Sequence, residues 1–453
     1  MTDKEIIETL AAISSMQKRD KLVAMEMALK DTRFRHAVIL STDTAITFGV
    51  SNIKPAGESM LNDSLDFLIK LAEESKGNAT KQQKEALARV AAQGEHTHQL
   101  IQKILRGRLD CGIGEKTLHE NFPGIVPYYP YMRCSGVDEL DRIISEMGWA
   151  YSQLKDNGLY LDIIVGDEVQ YRTRNGNSLK MRLGVEQSLS SSLVFSGTLM
   201  GEATLLSPCG TFTMPRAAGN AIISQAIHED MPKNIVERVR IKLWDFVPID
   251  SYRAMKEKMT YSERLDDLDN WLCDGAQPSV LKYFDLIETR EVRSIDEVWN
   301  HFEEVKSRPV ADGAEELEGL VVKSPKAIWK DGTSKDQAKV KDVKECELRI
   351  VDWVPGRDGS KYEGMIGSLT LQSECGGLVV NSSGITDEVR KKDPDSIIGT
   401  VVSVLFTSVT TNKNKTTASL DNPRITDLRS DKSVADDLEY IKRVKSIKRR
   451  KSE

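Results

Sequence analysis

The sequence predicts a multidomain α+β protein in three parts. These are an all-helical N-terminal region, a mixed strand-and-helix core, and a strand-rich C-terminal region that fits a closed or partly closed small β-barrel. Three observations predict this. The chain has 453 residues, and at about 150 residues per domain that is room for roughly three domains. The apolar periodicity is helical to about residue 120, mixed to about 345 and strand-like beyond. A proline-punctuated stretch, Phe122-Pro-Gly-Ile-Val-Pro-Tyr-Tyr-Pro-Tyr, reads as an extended connector, because Pro123, Pro127 and Pro130 cannot continue a helix. The expected domains are 1–130, 131–344 and 345–453.

Each element has its own signal. Thr2 or Asp3 can cap a first helix, whose Ile6, Leu10 and Ile13 fall on one face. Ser64 can cap another, with Leu65, Leu68, Ile69 and Ala72 as its apolar stripe. Thr80 starts a third, through Leu87, Val90 and Ala91, and Leu100, Ile101, Ile104 and Leu105 mark a fourth. From about 148 the texture changes. Leu159, Leu161 and Ile163 alternate, and Leu199–Leu206, Ile241–Val247 and Leu320-Val-Val are further strand candidates. Beyond 345, short strands are expected at 348–354, 369–371, 378–380 and 401–409, a density that suits a small barrel.

Composition excludes several classes. Apolar residues make up 40% and charged residues 29% of the chain, a globular profile and not a disordered one. No apolar run approaches the roughly 18 residues of a membrane helix, and MTDKEIIETL reads as a polar helix start, not a signal peptide. A soluble, cytoplasmic protein is expected. Six cysteines lie scattered without a CxxC, which argues against a structural zinc site and a secreted disulfide framework. The net charge of −6 leans against a nucleic-acid partner, whose footprint is usually basic. However, the first 135 residues and residues 345–453 each carry about 18 basic and 17 acidic groups, so the acidic excess sits mostly in the middle. Phosphate contact depends on where the cations sit, not on their sum. A basic run closes the chain: Lys442, Arg443, Lys445, Lys448, Arg449, Arg450 and Lys451.

Gly112-Ile-Gly-Glu-Lys-Thr imitates part of a phosphate-binding loop and is rejected. Glu115 separates the glycine from Lys116-Thr, and position 109 is Leu. It reads as a glycine turn with a solvated lysine, or as a small basic turn on a DNA backbone. The six histidines show no metal spacing.

The chemistry-bearing set lies elsewhere. In Gln153-Leu-Lys155-Asp-Asn-Gly158, a lysine stands at a strand–turn junction, where desolvation and neighbouring cations lower an amine's pKa and make it nucleophilic. Arg174-Asn-Gly176-Asn177 offers a guanidinium on a turn. Glu202 follows Gly201 after an apolar strand, and Trp244-Asp-Phe246 offers an aromatic plane for a purine. Glu318-Gly-Leu-Val-Val-Lys323 puts a carboxylate before a buried strand, and Lys339-Val-Lys341 puts two lysines on one strand face. Singly, each has a plainer reading as a solvated acid, a core tryptophan or a charged sheet face. Together they supply what attack on a nucleoside triphosphate needs: a nucleophile, carboxylates for a divalent metal, and cations for the developing phosphate charge.

In this order and at these spacings, the residues resemble the nucleotidyltransferase motifs of ATP-dependent DNA ligases of the T-even bacteriophage type. Leu109-Asp-Cys-Gly112, Phe122-Pro-Gly-Ile-Val-Pro, Trp244-Asp-Phe-Val-Pro248, Gln372-Ser-Glu-Cys-Gly376 and Arg429-Ser-Asp-Lys432 extend the resemblance from about 100 to 435. It implies a helical DNA-binding domain, a nucleotidyltransferase (adenylation) core and an OB-fold barrel. Lys155 would be the nucleophile that accepts AMP, Gln153 would face the adenine edge, and Trp244 would stack on the ring. Arg174 would contact the ribose or the nick phosphate. Glu202 would hold the ribose or a metal, and Glu318 the metal. Lys339 and Lys341 would bind the α-phosphate, and Arg429 and Lys432 would orient the pyrophosphate. The implied cofactors are ATP and Mg²⁺ or Mn²⁺. The implied substrate is nicked double-stranded DNA, sealed by a monomer in replication, repair or recombination, in a host cytoplasm if the source is a phage.

There are departures. The family pattern KxDGxR has Asn157 and Tyr160 at its third and sixth positions here. That keeps lysine adenylation while putting the later steps or the substrate preference in question. An RNA ligase or capping guanylyltransferase, and a catalytically weak nick-binding module, stay open as alternatives.

Overall fold

The computed structural model describes all residues except Lys76, 193–195, 310–316, 357–360, 412–415 and 445–453. The N-terminal stretch is helical: α1 (Asp3–Ser15), α2 (Lys18–Ala28), α3 (Thr32–Thr42), α4 (Ser64–Ser75), α5 (Lys81–Ala91), α6 (Glu95–Leu105) and α7 (Glu115–Asn121). Thr2 and Glu5 close a capping box on α1, whose Ile6, Leu10 and Ile13 are buried, and Thr80 and Gln83 do the same for α5. The cap of α4 differs from expectation. Ser64 is its first residue and donates to Asp3, while the Asp63 carboxylate accepts the N–H groups of Leu65 and Asp66. A carboxylate beside the positive helix end outcompetes the neighbouring hydroxyl. Residues from Ile6 to Val126 share one apolar core.

From Met132 the chain is rich in strands. They are β1 (Met132–Ser135), β2 (Ala150–Lys155), β3 (Leu159–Val165), β4 (Val169–Thr173), β5 (Ser178–Leu179), β6 (Gly197–Leu205), β7 (Val239–Pro248), β8 (Phe284–Leu286), β9 (Thr289–Val292), β10 (Gly319–Lys323) and β11 (Gly332–Lys341). Two sheets result, in the orders β1-β11-β10-β2-β9 and β5-β4-β3-β6-β7-β8. Leu154, Leu320, Val322 and Val340 pack one face of the first sheet against the helices Leu140–Ser145 and Ile295–Lys306. The opposite face carries Gln153, Lys155, Val321, Lys339 and Lys341, since strand side chains alternate. The expectation that Glu202 comes after a strand needs correction, whereas Trp244 falls within the expected strand Ile241–Val247. Both lie inside long strands, β6 and β7.

The C-terminal strands are β12 (Lys344–Pro355), β13 (Ile366–Gln372), β14 (Val379–Ser382), β15 (Val401–Phe406), β16 (Val409–Thr410), β17 (Ser419–Leu420) and β18 (Arg424–Arg429). Of the closed or partly closed barrel expected, the closed form does not appear among the described residues. Pairing runs in the open order β14-β13-β12-β15-β18, with β16 and β17 as a separate ribbon. Among the described residues the two edges approach through a bridge from Gly384 to Arg424 and a hydrogen bond from Ser382 Oγ to the Pro423 carbonyl, not through a ladder. Closing a sheet needs continuous pairing between its first and last strands, and four-residue β14 is too short to supply it. The basic tail from Lys445 onward lies outside the described residues, whereas Lys442 and Arg443 end the helix Leu438–Arg443.

Candidate functional site

A cavity of ≈ 430 Å³ opens between the first two sheets. Its floor follows from strand register. Gly319 of β10 pairs with Lys155 of β2 on one side and Lys341 of β11 on the other, so the two lysines stand in one row across three strands. Gly319 cannot be replaced easily there. Its φ is +149° and an added Cβ would lie 2.1 Å from the Val340 carbonyl oxygen. Glu318, one residue before the row, reaches both lysines. Its Oε2 accepts from Lys155 Nζ at 2.5 Å and its Oε1 pairs with Lys341. Burial pulls the Lys155 ammonium below the usual lysine range; Arg216 adds to this and Glu202 opposes it. Burial also lowers Lys341, to about 8, with Lys155 and Arg216 as repelling neighbours.

The second sheet supplies the opposite wall. Glu202 accepts the Gly158 N–H at 3.1 Å, and burial pushes its carboxyl above the usual range. Gly158 is required by close approach, because a Cβ would meet the Ala203 carbonyl oxygen at 2.4 Å and Glu202 Cγ at 2.8 Å. Trp244 is the extra residue of a β-bulge: Leu243 faces Gly201 and Asp245 faces Met200, leaving Trp244 between them. Behind it Arg264, 1% exposed, grips both oxygens of Asp245 at 2.7 and 3.0 Å. Gln153 is buried and donates to Thr289 Oγ1 at 2.9 Å. Arg174 lies with its guanidinium 4.2 Å from the centre of the Tyr131 ring.

Of the residues singled out from sequence, Gln153, Lys155, Arg174, Glu202 and Trp244 line the cavity, and Glu318 and Lys341 join it through their ion pairs with Lys155 and each other. Lys339 is exposed on the same sheet face and does not line the cavity. Arg429 and Lys432 are elsewhere, on the C-terminal sheet, where both bind Glu347. The departures from the family pattern are also visible. The Tyr160 hydroxyl donates to Asp162 at 2.6 Å, and Asp162 also accepts from Tyr252, so this position supplies no cation to the cavity. The Asn157 N–H donates to Asp156, whose carboxylate pairs with Lys242 at 3.0 Å.

Sequence reading passed over several lining residues, Tyr131, Cys134, Arg216, Asn220 and Gln337, and gave no role to Lys323, which it named only as the end of a motif. Lys323 had a signal, as the last residue of the strand that Glu318 precedes. It is 4% exposed, sits 4.2 Å from the centre of the Tyr261 ring, and burial lowers it to about 8. Tyr131 carried only the appearance of a linker residue.

Comparison with known proteins places this cavity in context. No family model matches the chain. DNA ligases of Enterobacteria phage T4 and Enterobacteria phage T6 are each 25% identical to it over 331 residues, 65% of this chain and 64% of theirs. The chain is similar to bacteriophage DNA ligases. It spans just under two thirds of the length of these curated DNA ligases. Two solved structures, Pmar-Lig_PreS3 and Pmar-Lig_Pre., match it with TM-scores of 0.69 and 0.68 at 20% and 19% identity, each covering 95% of this chain and 99% of the other. They share its mixed α+β fold over nearly its whole length.

Proposed function

We propose that the protein is an ATP-dependent DNA ligase that seals nicks between a 3′-hydroxyl and a 5′-phosphate through a covalent lysine–AMP. The observation that carries this reading is Lys155: a desolvated amine at a strand end, in a row with Lys341 and under Glu318, at the floor of a nucleotide-sized cavity. Lys155 Nζ, once neutral, attacks the α-phosphorus of ATP. The bond to the bridging oxygen breaks and pyrophosphate leaves. AMP then passes from Lys155 to the 5′-phosphate of the nick, and the 3′-hydroxyl displaces it. Trp244 and Gln153 hold the base, and Lys341, with Lys339 beside it, neutralises the α-phosphate. Arg174 contacts the ribose or the nick phosphate. Arg429 and Lys432 orient the pyrophosphate, which requires the C-terminal sheet to approach the cavity and the two to leave Glu347.

The donor set also suits a divalent cation. Glu202 and Glu318 are two carboxylates around one lysine, and Mg²⁺ typically takes one or two carboxylates with waters and substrate phosphates completing its shell. Among the described residues no three His, Cys, Asp or Glu side chains gather, so substrate phosphates and waters would have to complete the shell. Bound there, Mg²⁺ or Mn²⁺ would neutralise phosphate charge.

The domains read as a DNA-binding helical domain at 1–130, an adenylation domain at 131–344 and an OB-fold-like module at 345–453, acting as a monomer on nicked duplex in replication, repair or recombination. Among the described residues no helix is long and apolar enough to cross a membrane; we place the enzyme in the cytoplasm, that of a host cell if the source is a phage. Incubation with α-labelled ATP and Mg²⁺, followed by nicked DNA or nicked RNA, tests the reading. Covalent label and sealing of nicked DNA support it. Labelling by GTP favours a capping enzyme, sealing of RNA alone an RNA ligase, and no label a nick-binding module.

A further inference from the structure

The turn that carries Arg174 is held from outside its own sheet. Residues 128–131 of the connector are fixed by Asp331, whose side chain is 3% exposed. Asp331 Oδ1 accepts the Tyr131 N–H at 3.0 Å, and Oδ2 accepts the Tyr128 hydroxyl at 2.8 Å and pairs with Lys116 of α7. The Gly332 N–H returns a bond to the Tyr131 carbonyl at 3.1 Å. So fixed, the connector presses two rings onto the turn. The Tyr129 ring fills the space that a side chain at Gly176 would need, where a Cβ would fall 2.0 Å from ring carbon Cε2. The Tyr131 ring lies 4.2 Å from the Arg174 guanidinium and meets Tyr160 edge-on at 4.9 Å. From α3's far end, Thr44 donates to the Asn175 carbonyl.

We propose that Tyr131 is a positioning residue for Arg174, and that Asp331 holds Tyr131 in place for that task. The guanidinium is the long, rotamer-rich partner, and a flat ring beneath it restricts where its donors point while leaving them free for an anion. Lys116 ties the same carboxylate to the helical region, so α7 and the cavity share one anchor. The glycine turn before Lys116 thereby acquires a structural role that neither its resemblance to a phosphate loop nor a solvated lysine would give it.

The proposal rests on the ligase reading of Arg174, and its test separates the two. Single-turnover rates are measured on the full chain for covalent labelling by α-labelled ATP and for sealing of nicked DNA by pre-labelled protein. R174A identifies the Arg174-dependent step. Y131L should slow that same step by about tenfold, the scale of a partly desolvated cation–ring contact. Y131F, which keeps the ring, should recover most of the loss. Y131L in the R174A background should add no more than about twofold, because a residue acting only through Arg174 has nothing left to position. Losses that multiply, or a Y131L defect in the other step, overturn the proposal. Should Y131L not fold, D331A decides: it removes the acceptor of the Tyr131 N–H and of the Tyr128 hydroxyl, and it must slow the same step, wild-type kinetics overturning the proposal. If R174A is slow while Y131L is not, the proposal alone falls. If the wild type takes no label, the ligase reading falls and the proposal with it; if R174A keeps both rates, the role given to Arg174 falls and the proposal with it, while the ligase reading stands.

Discussion

Glu318 and Glu347 each stand between two cations, and the two arrangements behave differently. In the cavity Glu318 sits between Lys155 and Lys341; on the C-terminal sheet Glu347 sits between Arg429 and Lys432. The carboxylates are about equally shielded, 14% and 11% exposed. What differs is the company of the cations. Lys155, Lys341 and Arg216 repel one another in a desolvated space, so both lysines are lowered. Arg429 instead forms a two-pronged pair with Asp431, with Glu347 and Asp427 adding to the pull, so its charge is reinforced. Similar ionic triads thus serve opposite ends. A net-cationic one makes an amine that can lose its proton, and an anion-rich one makes a fixed charge.

The comparison can be broken by mutation. Glu318→Gln leaves two lysines facing each other without their counter-charge and removes an oxygen proposed to hold the metal. Covalent labelling should fall about 100-fold, as for loss of one strong electrostatic contact in an active site; a change under threefold would mean that the Glu318 triad is structural. Next in size is the pH response. Labelling should rise with pH as Lys155 loses its proton, and should do so below the range of an ordinary lysine, because burial lowers it. It should fall again above about 8, where Lys341 loses the charge that phosphate needs. Lys341→Arg, which stays charged, should remove the descending limb. An unchanged bell would assign that limb to another group, with Lys323 the first candidate. The smallest effect is expected at Glu347→Gln. It should lower the melting temperature by a few degrees and leave labelling within about threefold, since Arg429 and Lys432 leave Glu347 when they orient the pyrophosphate; a large loss of labelling would mean that Glu347 is needed to hold them in their working position.

Much of this was legible in sequence, for physical reasons that differ by element. α1 was readable because Thr2, Glu5 and the Ile6–Leu10–Ile13 spacing all point the same way. The start of α4 was not, because Asp63 and Ser64 are both good caps and only the folded geometry shows which oxygen reaches the amides. The strand that follows Glu318 was legible from its Leu320-Val-Val run, whereas Ala150–Lys155 has no apolar run and only the turn after Lys155 marked its end. That Trp244 occupies a bulge was not legible, since a bulge arises from the register between β6 and β7 and neither strand shows it alone. Open pairing in the C-terminal sheet is likewise a property of two edges distant in sequence. Within the site, charged residues in motifs stood out, whereas Tyr131 and Gln337 looked like linker and strand filler until the connector folded back onto the cavity.

The central claim is that Lys155, and no other lysine around the cavity, is the nucleophile. Peptide mapping by mass spectrometry after incubation with ATP and Mg²⁺ tests it most directly. The mass of one AMP should appear, acid-labile as a phosphoramidate, on the peptide containing Lys155, and should vanish in Lys155→Ala without moving elsewhere. AMP on Lys323, Lys339 or Lys341, or adduct formation that persists in Lys155→Ala, would contradict the account.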